Sequence, residues 1–354
     1  MLRPAVALTL LSLPLATPAF AGDAAEAAAA ELLEARLKEQ RPEDLAILRS
    51  VQGKNVVVVA GSMDHIEQVL AAARIPHTLV QPNEVAGLDL NADQIVMVNC
   101  PGVMPSAGIE RIQRFVRAGG LLYTTDWALS NVVERAFPRT IAANGKSTGD
   151  HVTKVEVHGH HHDLMTNLLL RKGSQPEWWL EGGSYPIKIL DPKRVEVLAS
   201  SKQMKKEYGA APVVVRFRHD DGEVIHVVSH FYRQVATTGP AVAAKDGIDE
   251  VQGLSDADKK AFKEGAGGGV KLGDVESSYA FQQMTSNLVV GKQKRNVELD
   301  RQYGYTPAKP VTIAGRAAKK GDRLKVIETK GDQVRVRDDR GNEALLPAAA
   351  LEAR

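Results

Sequence analysis

Four short apolar runs, each followed by a turn and most by an amphipathic stretch, organise the first part of this chain. Asn55–Ala60 reads NVVVVA, Thr78–Gln81 is a second run, Gln94–Asn99 reads QIVMVN, and Leu121–Thr124 is the fourth. Unbroken β-branched runs are what strands covered on both faces look like. His65–Arg74 and Ser106–Arg117 between them have helical spacing, so the pattern predicts alternating strands and helices, and hence a doubly wound parallel sheet. Upstream, residues 22–53 are rich in Ala, Glu and Leu and are expected to be helical, as a packing helix or a frayed arm.

After Pro138 the texture changes. Val152–Val157 alternates like a strand and runs into His158–His162, and Tyr185–Leu190 and Val195–Ala199 are short strands. Val213–Phe217 and Val224–Ser229 flank Asp220-Asp221-Gly222, a hairpin signal. Residues 235–277 read as a long insertion, with a short helix starting near Ser255, and long insertions are functional lids or disorder. Its Gly265–Gly269 cluster lacks the Gly-Lys-Ser/Thr ending of a phosphate-binding loop. Ser278–Gly291 is expected to be a helix packed on the sheet. Residues 294–308 read as a linker, and residues 309–354 as a small β unit with period-two alternation at Gly321–Val326 and Gln333–Val336.

The first residues change the expected compartment. Arg3, the apolar core Ala5–Ala16 and Ala19-Phe20-Ala21 have the order of a secretory signal peptide over 1–21. The apolar run is shorter than the roughly 20 residues a span needs, so the mature chain is expected to be periplasmic or secreted, with no transmembrane span. A single cysteine, Cys100, leaves no intrachain disulfide, and the fold must rest on its core. A net charge of only +2 selects for neither nucleic acid nor a membrane surface.

The stretch Phe115–Val133, FVRAGGLLYTTDWALSNVV, carries the clearest chemical signal. A strand feeding a helix through a tight turn lifts one side chain above the carboxyl end of a sheet. Here that side chain is Asp126. Taken with NVVVVAG, with NCPGV at the end of the third strand, and with DGEVIHVVSHF before a last helix, residues 54–291 resemble the class I glutamine amidotransferase-like superfamily. The closest likeness is to its ThuA-like branch. The resemblance implies a flavodoxin-like parallel sheet. It puts the family's Cys nucleophile at Asp126 and its catalytic His at His230, while the acid two residues beyond falls on Tyr232. One of three catalytic positions matches, so ordinary glutaminase chemistry is not expected. Residues 309–354 resemble a bacterial SH3-like domain through Gly321-Asp322 before a strand and VRVRDDRGNEALLP. Such domains often bind cell-wall peptide or protein partners, although here Leu345-Leu346 stands where an aromatic is usual.

The candidate residues follow. Asp126 and His230 are the candidates for an acid–base pair, the carboxylate orienting the imidazole; the alternative reading of Asp126 is a cap on the next helix. Cys100, Gly102, Trp127 and Tyr232 are candidate ligand contacts at the same edge. Trp127, Trp178, Trp179 and Tyr185 are aromatics suited to a sugar or peptide pocket or to the core. Four of the ten histidines lie within His158–His162. Of these, His160 and His162 would share a side of a continued strand and, with Asp126 and His230, offer nitrogen and oxygen donors to zinc or a similar ion. Two functions stand from this. One is an exported, non-catalytic module binding a small ligand or cell-envelope component at the old active-site edge. The other is a metal-assisted or acid–base hydrolase of a sugar or amide using Asp126 and His230. A pure cell-wall anchor is a third.

Overall fold

The computed structural model describes residues 21–158, 163–230, 242–265 and 269–354. It is a mixed α/β structure with one large sheet and several small antiparallel sheets. The sheet strands are β1 Val56–Val59, β2 Thr78–Val80, β3 Ile95–Val98, β4 Leu121–Thr125, β5 Glu156–Val157, β6 Val195–Ser200, β7 Pro212–His219 and β8 Gly222–Val227. Their order is β2-β1-β3-β4-β8-β7-β6-β5.

The four apolar runs form β1–β4, all parallel, and β8 joins them parallel to β4. Every residue of β1, β3 and β4 is buried, as the unbroken apolar runs require. The expectation of a parallel sheet needs correcting beyond that point. The Asp220-Asp221-Gly222 turn folds β7 back against β8, β6 reverses again, and β5 closes the edge, all antiparallel. A hairpin can only join antiparallel neighbours, so the sheet is mixed.

Helices cover the sheet. The N-terminal segment is two helices, α1 Ala21–Gln40 and α2 Pro42–Ser50, broken where Pro42 starts a new helix. Ala28, Ala29, Leu32, Leu33 and Leu37 of α1 are buried in the main core, so this is a packing helix and not a frayed arm. α3 Ile66–Ala72 and α4 Ser106–Arg117 lie where the spacing puts them.

α5, Leu272–Gln302, is 31 residues long and overruns the expected helix at both ends. Gly291 is tolerated inside it with open space at its Cα, and the stretch read as a linker is helical to Gln302. Of the expected insertion, residues 242–265 and 269–277 are described. They include the helix Asp256–Glu264, capped by the Ser255 hydroxyl accepting from the Asp258 N–H.

The C-terminal unit has its own core of Ile313, Ala318, Leu324, Val334, Val336 and Leu346. Its five-stranded antiparallel sheet takes in Tyr305–Pro307, ahead of the expected boundary, and a separate hairpin pairs Val311–Ile313 with Arg316–Ala318. Among the described residues, no helix is long and apolar enough to cross a membrane.

Candidate functional site

The carboxyl ends of β3, β4 and β8 bring three chemically active side chains to one place. β3 ends one residue before Asn99 and delivers Cys100. β4 delivers Asp126, and β8 delivers His230 three residues past its end. Asp126 sits at φ +40°, a left-handed conformation that a residue with a Cβ adopts at a cost of about 1–2 kcal/mol. Its backbone N–H bonds the Val227 carbonyl at 2.9 Å, which locks the turn to β8. A π-helical turn, Leu129–Val133, follows at once, so the sharp elbow expected from TTDWA is present.

Asp126 does not cap that helix. Its Oδ1 accepts from the Tyr185 backbone N–H at 3.0 Å and its Oδ2 from the Ser184 hydroxyl at 2.9 Å. His230 Nε2 lies 3.0 Å from Asp126 Oδ2, and its Nδ1 lies 2.5 Å from Glu181 Oε2. Both are at ion-pair distance, yet neither ring nitrogen is aimed at its oxygen, so these are close charge pairs and not aligned hydrogen bonds. Cys100 Sγ is 3.9 Å from Asp126 Oδ2. Cys100, Asp126 and His230 are 1, 2 and 3% exposed. The segment Glu181–Tyr185 roofs them.

The electrostatics follow from this packing. Burial on its own would lower the His230 pKa. Contact with Asp126 and Cys100 and the field of Asp64 outweigh it and hold His230 up, at about 11. Burial pushes the Cys100 thiol up, and the opposing contact with His230 does not reverse it. Near neutrality the ring is therefore a cation and the sulfur a thiol, so neither is an available base or nucleophile. Four residues earlier, within β8, burial drops His226 to about 3, and it is a neutral core group bonded to the Thr124 hydroxyl.

The remaining candidates divide. Trp127 stacks on Tyr185 at 5.7 Å and 22°, and its Nε1–H donates to the Gly183 carbonyl at 2.8 Å. Both rings are half-buried, at the rim of the roof. Trp178 is fully buried against Phe281, while the Trp179 indole N–H donates to Asp150. Gly102 has φ +70°, and a Cβ there would meet Ala128 Cβ at 2.9 Å, so its observed part is packing under the elbow helix. His160, His162 and Tyr232 lie outside the described residues. Glu181 and Ser184 carry no local sequence signal. They reach Asp126 and His230 across about fifty residues, and Glu181-Gly182-Gly183 looks like any polar turn.

No protein-family model matches the sequence, and no curated protein matches it. Solved structures show distant likenesses. One is a putative ThuA-like protein from Bacteroides uniformis ATCC 8492, at 14% identity over 51% of this chain and 81% of that one, TM-score 0.33. Another is a β-galactosidase from Bacillus circulans sp. alkalophilus, at 13% identity over 88% of this chain and 43% of that one, TM-score 0.37. A third is the exo-β-1,4-mannosidase Op5Man5 from Opitutaceae bacterium strain TAV5, at 12% identity over 54% of this chain and 33% of that one, TM-score 0.36. The chain spans 33 to 43% of the length of the mannosidase and β-galactosidases it matches. Likenesses this distant say nothing of activity.

Proposed function

We propose that this chain is an exported, non-catalytic module of amidotransferase-like, ThuA-like descent that binds a small ligand or cell-envelope component at the carboxyl edge of its sheet. In this reading residues 1–21 are removed on export, and the C-terminal unit acts as an SH3-like second contact. The observation that carries it is the clamp on His230, held between Asp126 and Glu181 beneath a roof whose Ser184 and Tyr185 N–H occupy both oxygens of Asp126. His230 is charge-paired on both sides, Asp126 accepts two hydrogen bonds, and Cys100 is a buried thiol beside them. The half-buried Trp127–Tyr185 stack at the rim offers a ligand a flat apolar surface.

The test is tryptophan emission during titration with soluble muropeptides and, separately, with neutral oligosaccharides. A saturable change with one of them, lost in Trp127→Ala, is expected. No His230-dependent turnover of chromogenic amides, esters or glycosides should accompany it.

One observation favours the hydrolase alternative: the strained φ +40° at Asp126, since strained backbone gathers at active sites. Turnover abolished by both Asp126→Asn and His230→Gln would replace the binding reading with that one.

A further inference from the structure

We infer that Cys100, Asp126 and His230 hold a divalent transition-metal ion of the zinc class. This rests on the proposed binding role of the edge and names what its buried centre binds. Among the described residues, these three alone form a group whose ligand atoms, Cys100 Sγ, a carboxylate oxygen of Asp126 and a ring nitrogen of His230, lie within 4.8 Å of one another. Tetrahedral zinc bonds sulfur at about 2.3 Å and nitrogen or oxygen at about 2.0–2.2 Å. Its ligand atoms therefore sit between about 3 and 4 Å apart. The observed 3.0 Å from His230 Nε2 to Asp126 Oδ2 and 3.9 Å from Cys100 Sγ to the same oxygen fall at those spacings.

A second observation is independent of the spacing. His230 is 3% exposed, and neither of its ring nitrogens is aimed at a hydrogen-bond acceptor. Glu181 stands 2.5 Å from Nδ1 on the far side of the ring. A rotation of the ring that aims Nδ1–H at Glu181 and turns Nε2 toward the ion would give the carboxylate–histidine arrangement that fixes metal-bound imidazoles in tautomer and direction. Asp126 is already held in direction by hydrogen bonds from the Ser184 hydroxyl and the Tyr185 N–H. A thiolate beside an imidazole and a carboxylate selects zinc-like ions over magnesium or calcium, which prefer oxygen alone. As the ion enters, one proton leaves Cys100 Sγ and one leaves His230 Nε2, so the bound centre gains no net charge.

The test uses untagged, chelator-treated full chain titrated with Co²⁺, then with Zn²⁺ in competition. One cobalt per chain is expected, with the near-ultraviolet band of a thiolate–cobalt bond, and zinc should displace it. Cys100→Ser should abolish the band. Glu181→Gln should keep the band and lower affinity about 10–100-fold, the usual effect of removing a carboxylate behind a ligating histidine. Circular dichroism of each variant shows whether it is folded, and the wild-type band stands whether or not a variant folds. No stoichiometric cobalt, or cobalt binding that Cys100→Ser leaves spectrally unchanged, overturns the inference. If cobalt fails while the Trp127-dependent titration of the metal-free protein persists, the binding role survives without the metal. If both fail, the edge is not a binding site.

Discussion

Two buried bases of opposite behaviour set the alkaline stability of the metal-free protein. His230 is held up at about 11 against an ordinary 6.5. Its contribution is complete below pH 6.5 and is lost as pH rises toward 11, because the native state keeps a proton that the unfolded chain releases. Lys292 runs the other way. Burial lowers it from 10.5 to about 7, while its Nζ donates to the Ala92 and Gly119 carbonyls. From pH 7 to 10.5 the unfolded chain holds the extra proton, so Lys292 makes stability rise with pH. The two slopes, each at most about 1.4 kcal/mol per pH unit, offset one another. Urea midpoints of chelator-treated wild type should therefore change little from pH 7 to 9. His230→Gln should become more stable over that range and Lys292→Met less stable, with Cys100, raised by burial, adding a further decline above pH 9. Parallel profiles for wild type and both variants would show that neither group is coupled to folding in this way. Asp126 and His230 were legible as residues because each ends a long apolar run, where a parallel strand must stop. Their partners Glu181 and Ser184 were not, since no local pattern ties a Gly-Gly turn to an elbow more than fifty residues away.

At the scale of elements, the helices were legible in kind but not in extent. Ser106–Arg117 was correctly bounded because its apolar face is strongly periodic and the Gly119-Gly120 pair ends it. The sequence pattern ends the last helix at Gly291 and makes the charged run Lys294–Gln302 a linker, whereas the helix continues to Gln302. In the structure that run stays helical because tertiary bonds hold it: Arg295 reaches Glu223 and the Asp221 carbonyl, Asn296 reaches the Asp93 carbonyl, and Leu299 is buried. Packing overrode a weak local signal, as it commonly does for helices. The same helix explains why the N-terminal segment folds. α1 has almost no segregated apolar face, yet Leu32, 2% exposed, and its neighbours are buried in the main core. Leu32→Ala should cost about 2–5 kcal/mol, the range for a truncated core leucine. It would be read as a lower urea midpoint at unchanged m-value. A shift below 0.5 kcal/mol would mean that α1 is held only loosely.

At the scale of the whole molecule, the C-terminal unit is tied to the α/β body by polar contacts more than by shared apolar core. The Ala92 N–H bonds the Asp339 carbonyl at 2.7 Å, and the Tyr303 hydroxyl bonds the Ala118 carbonyl at 2.6 Å. Arg111 bridges the Leu88 and Arg340 carbonyls. Arg323 is the hub: it pairs with Asp93 of the body at 2.7 Å and with Asp339 of its own unit at 3.0 Å, and only 14% of its side chain is exposed. The apolar part of the junction is small, Ala92, Ala118 and Tyr303. A junction of this kind depends on charge, and half-buried pairs fall between the near-zero value of surface pairs and the 3–5 kcal/mol loss when one partner of a buried pair is removed. Arg323→Met should therefore cost about 2 kcal/mol, felt at the junction and not in either core. Calorimetry of the wild type should show one cooperative transition. In Arg323→Met the C-terminal unit should melt first as a separate, smaller transition, and high salt should produce a weaker form of the same split in the wild type by screening the more exposed pairs. A single transition in the variant, displaced by the same amount as its stability loss, would mean that the two units are joined by something other than this arginine.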